Sequence, residues 1–252
     1  MDLSNPATPR RRVESVDLSN TDIDNLNLTG ARIRGLSLDG AHLTDAWMPN
    51  TIVDGAYFGL RINGVLVGPL IEAEILKQHP LLNELKPDNA AGMRAGFEAV
   101  YELWDGVIER VGDLPEVIAY QQVDREWSVV ETLRHLVFAT DAWILRVILD
   151  EPEPFHPWGL PPPFMDDFDI GRDRTKEVTL QEAISMRADR RARVWAVLSM
   201  LKDDDLDRWC EPKTAGPPPG RHRLGDALTT ILGEEYWHST YVTRDLDILT
   251  SG

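Results

Sequence analysis

The sequence predicts an α+β multidomain chain: a short right-handed quadrilateral β-helix followed by an up-down four-helix bundle. Two observations set that class. An apolar residue recurs at every fifth position from Leu18 to Phe58, and four later stretches between residues 89 and 249 carry apolar residues at helical spacing. Composition bounds it: of 252 residues 42% are hydrophobic, enough for the cores of two modest domains.

The five-residue series runs Leu18, Ile23, Leu28, Ile33, Leu38, Leu43, Met48, Val53 and Phe58, nine positions in all. Two residues before each stands a second inward candidate, from Val16, Thr21 and Leu26 through to Thr51 and Ala56. A period of five fits neither a helix at about 3.6 nor a strand at about 2. It suits a square solenoid in which each five-residue unit makes one side. The pattern resembles the pentapeptide-repeat family, whose units read A(D/N)LXX. That resemblance implies a β-helix of about two coils over residues 16–60, preceded by a flexible arm at 1–15. A solenoid needs capped ends. Asn63-Gly64, between Ile62 and Val65, signals a type I′ hairpin turn, and Pro69 opens a helical stretch from Leu70 to Gln78 that Pro80 closes. Residues 61–86 therefore read as capping hairpin and connector helix, and 87–252 as the bundle.

The first bundle helix is expected from about Asn89 to Val111, with Phe97, Val100, Trp104, Val107 and Val111 at core spacing. A second starts at Ser128, where Glu131 completes a capping box, and runs to about Leu149. The third starts with the Thr179 and Glu182 capping box and reaches Leu201; the last covers about Asp226 to Leu249. The connections at 150–178 and 204–224 are long, and Pro152, Pro154, Pro157 and Pro161 to Pro163 keep the first from being helical. On the second helix only Arg134 and Asp141 mark a wet edge. Asp203, Asp204 and Asp205 read as a solvated helix end.

Polar groups on core faces single out a site, because a buried polar group must be satisfied. Glu234 and His238 lie one turn apart on the last helix, and His135 adds an imidazole from the second. Two imidazoles and a carboxylate form a ligand set for a catalytic divalent metal, zinc or nickel before others. The same trio also suits a hydrogen-bonded core cluster. His156 and Trp158, with Asp166 and Asp167 beyond, form either a lid or a solvated loop. Trp127 reads as a staple for the second helix. The single cysteine, Cys210, has no base beside it in the sequence and reads as packing.

The stretches Glu126-Trp127-Ser128, Glu131 to Leu136, and Glu234-Glu235 with His238 and Arg244-Asp245-Leu246 resemble the DinB-like superfamily over residues from about 88 to 249. The resemblance implies a four-helix bundle and, in metal-binding members, one histidine from the second helix with a His-x-x-x-His pair from the last. His135 matches the first ligand and His238 the second of the pair. Glu234 stands where the other histidine is found, and Glu235 is a further carboxylate within reach. The group includes S-transferases that use low-molecular-weight thiols such as mycothiol and bacillithiol. The implied function is a metal-dependent thiol S-transferase, or a hydrolase-like enzyme, acting on a small molecule. The alternative is a non-catalytic interaction protein, in which the acidic repeat binds a protein partner or makes a homodimer.

A formal charge of −16 and a pI near 4.7 argue against nucleic acid as partner, since no basic stripe apart from Arg10, Arg11 and Arg12 interrupts the acidity. No apolar run approaches the roughly 20 residues that cross a bilayer, and none resembles a secretion signal. A cytoplasmic protein without membrane contact is expected.

Overall fold

The computed structural model describes residues 12–33, 35–53, 55, 57–162, 165, 171–173 and 175–251. Arg10, Arg11, Ala56, Pro163, Asp166 and Asp167 lie outside the described residues. The chain divides into two units between Asn50 and Thr51.

In the first unit the five-residue period is written into the backbone. Ser15, Asn20, Asn25, Gly30, Gly35, Gly40, Asp45 and Asn50 all take a positive φ, a conformation that glycine, asparagine and aspartate tolerate best. Turn hydrogen bonds run from Ala31 N to Leu28 O (2.9 Å) and from Ala41 N to Leu38 O (3.0 Å). The Asp17 and Asn27 side chains accept from the amides two residues on, at 2.9 and 3.0 Å. No β-strand forms among the described residues of 12–60, and Leu18 and Leu28 stay 53% and 51% exposed. A closed β-helix core is therefore not seen. Among the described residues the structure is helical, with two small two-stranded sheets.

The second unit reverses at Asn63 and Gly64, both with positive φ, so that β1 (Arg61–Ile62) pairs antiparallel with β2 (Val65–Leu66). Helix α1 (Gly68–Gln78) follows, with Pro69 in its first turn, where a missing amide costs nothing. Helix α2 (Ala90–Gly112) is capped by the Asn89 side chain, which accepts from Gly92 N at 2.8 Å. Its first amide, Ala90 N, donates to Asp203 Oδ1 at 2.8 Å. Asp203, exposed just after the end of α4, thus also caps another helix.

Helix α3 (Val129–Thr140) opens on the Ser128–Glu131 capping box and continues as a π-helical stretch, Asp141–Ile148. Helix α4 (Leu180–Met200) opens on the Thr179–Glu182 box, and α5 (Leu224–Thr250) closes the chain. Helix α5 packs on α2 and α3, and α3 packs on α4. The interior is built from Phe97 and Val100 of α2, Leu133 and Leu136 of α3, Val194 and Leu198 of α4, and Leu228, Ile231 and Leu246 of α5, all buried. Each such side chain contributes about 1.5–3 kcal/mol on leaving water. The connection after α4 is tied back by β3 (Trp209–Cys210) pairing with β4 (His222–Arg223). Buried Arg146 donates to Thr214 O (2.9 Å) and Pro218 O (2.8 Å) in that connection. No helix of the described residues is long and apolar enough to cross a membrane.

Both capping boxes carry a stability prediction. Ser128→Ala and Thr179→Ala are each expected to lower the unfolding free energy by about 1 kcal/mol in urea titration. An unchanged midpoint in both variants would mean that the boxes do not hold these helix starts.

Candidate metal centre

The Ser128 cap fixes the start of α3 and so places His135 two turns in, on the face turned to α5. From α5, Glu234 and His238 meet it from successive turns. Glu234 Oε2 lies 3.3 Å from His135 Nε2 and 3.1 Å from His238 Nε2, and one ligand atom from each of the three falls within 4.8 Å of the others. The His135 and His238 side chains are 8% and 16% exposed, whereas Glu234 is 34% exposed and forms the open side. The structure thus brings together the three residues the sequence singled out.

Where the protons sit decides what this cluster can hold. His135 Nδ1 is 3.0 Å from the backbone carbonyl of Leu160, which only accepts. Nδ1 therefore carries a proton, and in the neutral ring Nε2 presents its lone pair to the Glu234 carboxylate. Two lone-pair atoms at that separation need a positive charge between them, as an imidazolium proton or as a cation. A metal-binding histidine commonly donates its other ring nitrogen to a carbonyl in this way. Burial pushes the His238 imidazole below its ordinary pKa, against the pull of Glu234, and so favours the neutral ligand form. Burial raises the Glu234 carboxyl, but its contacts with His135 and His238 outweigh that and hold it well below the usual carboxylate range. Two nitrogens and a carboxylate with one open side fit a divalent ion of the zinc or nickel kind.

Aromatic rings close the flanks. The Trp127 ring sits 4.4 Å from that of His135 and 5.9 Å from that of His238. Tyr241 lies 5.9 Å from His238, and Phe138, stacked on Phe155, lies 6.3 Å from His135. Trp127, placed in the sequence only as a staple, is therefore part of the site wall.

Glu235 takes no part. It is fully buried and accepts from Arg187 Nη2 at 2.8 and 2.6 Å, while its backbone carbonyl accepts from Trp104 Nε1 at 2.9 Å. Burial raises its carboxyl pKa in spite of that arginine. Asp141 is likewise no wet edge: it is buried, and Arg190 Nε donates to it at 2.6 Å. The proline-rich connection covers the face that Arg134 and Asp141 mark. Its His156 and Trp158 are half-buried against α4, where they line a cleft of about 310 Å³ with Met186, Asp189 and Arg190. Cys210 is buried in β3, and burial raises its thiol pKa.

A family model described as the DinB superfamily matches residues 97–242, more than half of the chain and all three site residues. The chain belongs to the DinB superfamily. No curated protein and no solved structure matches it. The matched span runs from α2 to α5, so the five-residue repeat lies outside it.

The two depressed pKa values set a pH dependence. The unfolded chain takes up protons at His238 near 6.5 and at Glu234 near 4.5, where the folded protein still holds them off. The unfolded state then binds more protons, so stability is full at neutral pH and falls as pH drops through that window. Metal-free protein is expected to melt at progressively lower temperature from about pH 7 to about pH 5, with a shallower slope in His238→Gln. Identical slopes in both proteins would contradict the assignment.

Proposed function

We propose that the DinB bundle holds one divalent metal ion, zinc or nickel, at His135, Glu234 and His238, and that the protein is a metal-dependent enzyme acting on a small molecule, with thiol S-transfer as its reaction class. The observation that carries this reading is the His135 ring, tied through Nδ1 to Leu160 O with Nε2 turned to a carboxylate. A ligand histidine commonly has its other ring nitrogen held by a carbonyl in this way, and metal content separates it from an imidazolium paired with Glu234 through the same contacts.

Bound there, a divalent ion supplies Lewis acidity that turns a thiol or water into a nucleophile at neutral pH. His135 and His238 donate through Nε2, and Glu234 brings the negative charge that partly neutralises a dication. Trp127, Phe138 and Tyr241 keep bulk water from the flanks and leave approach from the Glu234 side. S-transfer is favoured over hydrolysis by the family likeness alone, and thiol consumption in the presence of a small electrophile separates the two.

Protein purified without a histidine tag or chelator is expected to carry close to one equivalent of zinc or nickel by elemental analysis, and His238→Ala to lose it. Absence of metal after reconstitution would make the cluster a structural one.

A second reading concerns the N-terminal repeat, which we propose to be a pentapeptide β-helix over residues 16–60 that serves protein contacts, including self-association. The left-handed residue at every fifth position supports the helix, and apolar side chains left in water, Phe58 at 98% and Trp47 at 89% exposed among them, support the contacts. Deleting residues 1–60 is expected to leave the bundle folded and to lower its oligomeric state by light scattering; an unchanged state would sink the interaction role.

A further inference from the structure

The strongest unassigned feature is an unbroken path of hydrogen bonds from α4 to the first ligand. Arg190 Nε donates to Asp141 Oδ1 (2.6 Å), and the His156 amide donates to Asp141 Oδ2 (2.7 Å). Within the loop, the Trp158 amide donates to His156 Nδ1 (3.1 Å) and the Gly159 amide to His156 O (2.9 Å). The loop then grips α3 twice: Arg134 Nε donates to Trp158 O (2.9 Å), and the Leu160 amide to Arg134 O (3.0 Å). The path ends where His135 Nδ1 meets Leu160 O at 3.0 Å.

Arg134, Phe138 and Asp141 stand at i, i+4 and i+7, so they form one stripe along α3, and the loop lies on it. The stripe admits the loop closely because Gly159 has no side chain. A Cβ there would come within 3.2 Å of His156 O and 3.4 Å of Phe138 Cβ. Asp141 is where α3 gives way to its π-helical stretch, a deformation that often marks functional positions.

We infer that Asp141 and Arg134 are positioning residues: they clamp residues 156–160 of the proline-rich loop to α3, so that the Leu160 carbonyl fixes the tautomer and ring orientation of His135. The groups around Asp141 are Arg190, the neighbouring Asp189 and the His156 amide. Burial pushes its carboxyl up to about 6, so at neutral pH it meets Arg190 as the carboxylate. Without the clamp the imidazole is free to turn, and metal affinity falls by the roughly 10- to 100-fold typical of lost outer-shell partners. The inference rests on the metal reading above for its affinity arm only. The tautomer arm stands on the metal-free protein.

The test uses full-length wild type, Asp141→Ala, Asp141→Asn and Arg134→Met. In metal-free protein, at a pH high enough for the ring to be neutral, nitrogen-15 NMR of the histidine rings is expected to show His135 protonated at Nδ1 in wild type. That preference is lost in Asp141→Ala and Arg134→Met, and weakened less in Asp141→Asn, whose single amide oxygen can accept from His156 or from Arg190 but not from both. Zinc competition titrations are expected to follow the same order, with about 10-fold or greater weakening in the first two variants. Val194→Ala, a core truncation on α4, lowers the melting temperature but leaves both readouts unchanged. Should Asp141→Ala fail to fold, Arg134→Met, which keeps the aliphatic stem, carries the test. Wild-type tautomer and zinc affinity in the altered variants overturn the inference while leaving the metal site standing. Absence of zinc binding by wild type overturns the metal reading instead, and the NMR arm still decides the clamp.

Discussion

The proton on His135 Nδ1 governs the chemistry of this bundle. A carbonyl oxygen 3.0 Å away obliges that nitrogen to donate, which leaves Nε2 as a base aimed at Glu234. Were the tautomer reversed, Nε2–H would simply donate to the carboxylate, and the trio would be a closed hydrogen-bonded cluster with no call for a cation. One backbone atom in a proline-rich loop therefore sets which ring nitrogen of His135 a cation can use.

Adjacent carboxylates on α5 show how environment divides roles. Glu234 faces two imidazoles and one open side. Glu235, one residue on, turns into the core and is held by Arg187, whose Nη1 finds no partner among the described residues, as the buried Tyr101 hydroxyl also does not. A buried ion pair of this sort adds little net stability over apolar packing, yet losing one partner is expensive. It ties α5 to α4 at the residue next to Glu234.

Much of this was legible in the chain. Capping boxes at Ser128 and Thr179 marked two helix starts, and apolar spacing marked the buried faces, because both signals are local. The metal trio was legible because i and i+4 on one helix share a face, and one histidine broke an apolar run on another. Asp141 and Glu235 were misplaced for a common reason: their partners, Arg190 and Arg187, lie more than forty residues away, so nothing nearby in sequence announces them. Leu160 was invisible because its backbone, not its side chain, does the work. The repeat was legible as a period, and the backbone keeps that period, but half-exposed Leu18 and Leu28 show no closed core.

X-ray absorption at the metal edge of the zinc-loaded protein tests the central claim most directly. Two imidazoles and oxygen donors, with metal–nitrogen distances of about 2.0–2.1 Å, are the result this account predicts. A first shell without imidazole scattering, or with sulfur at about 2.3 Å, would contradict it.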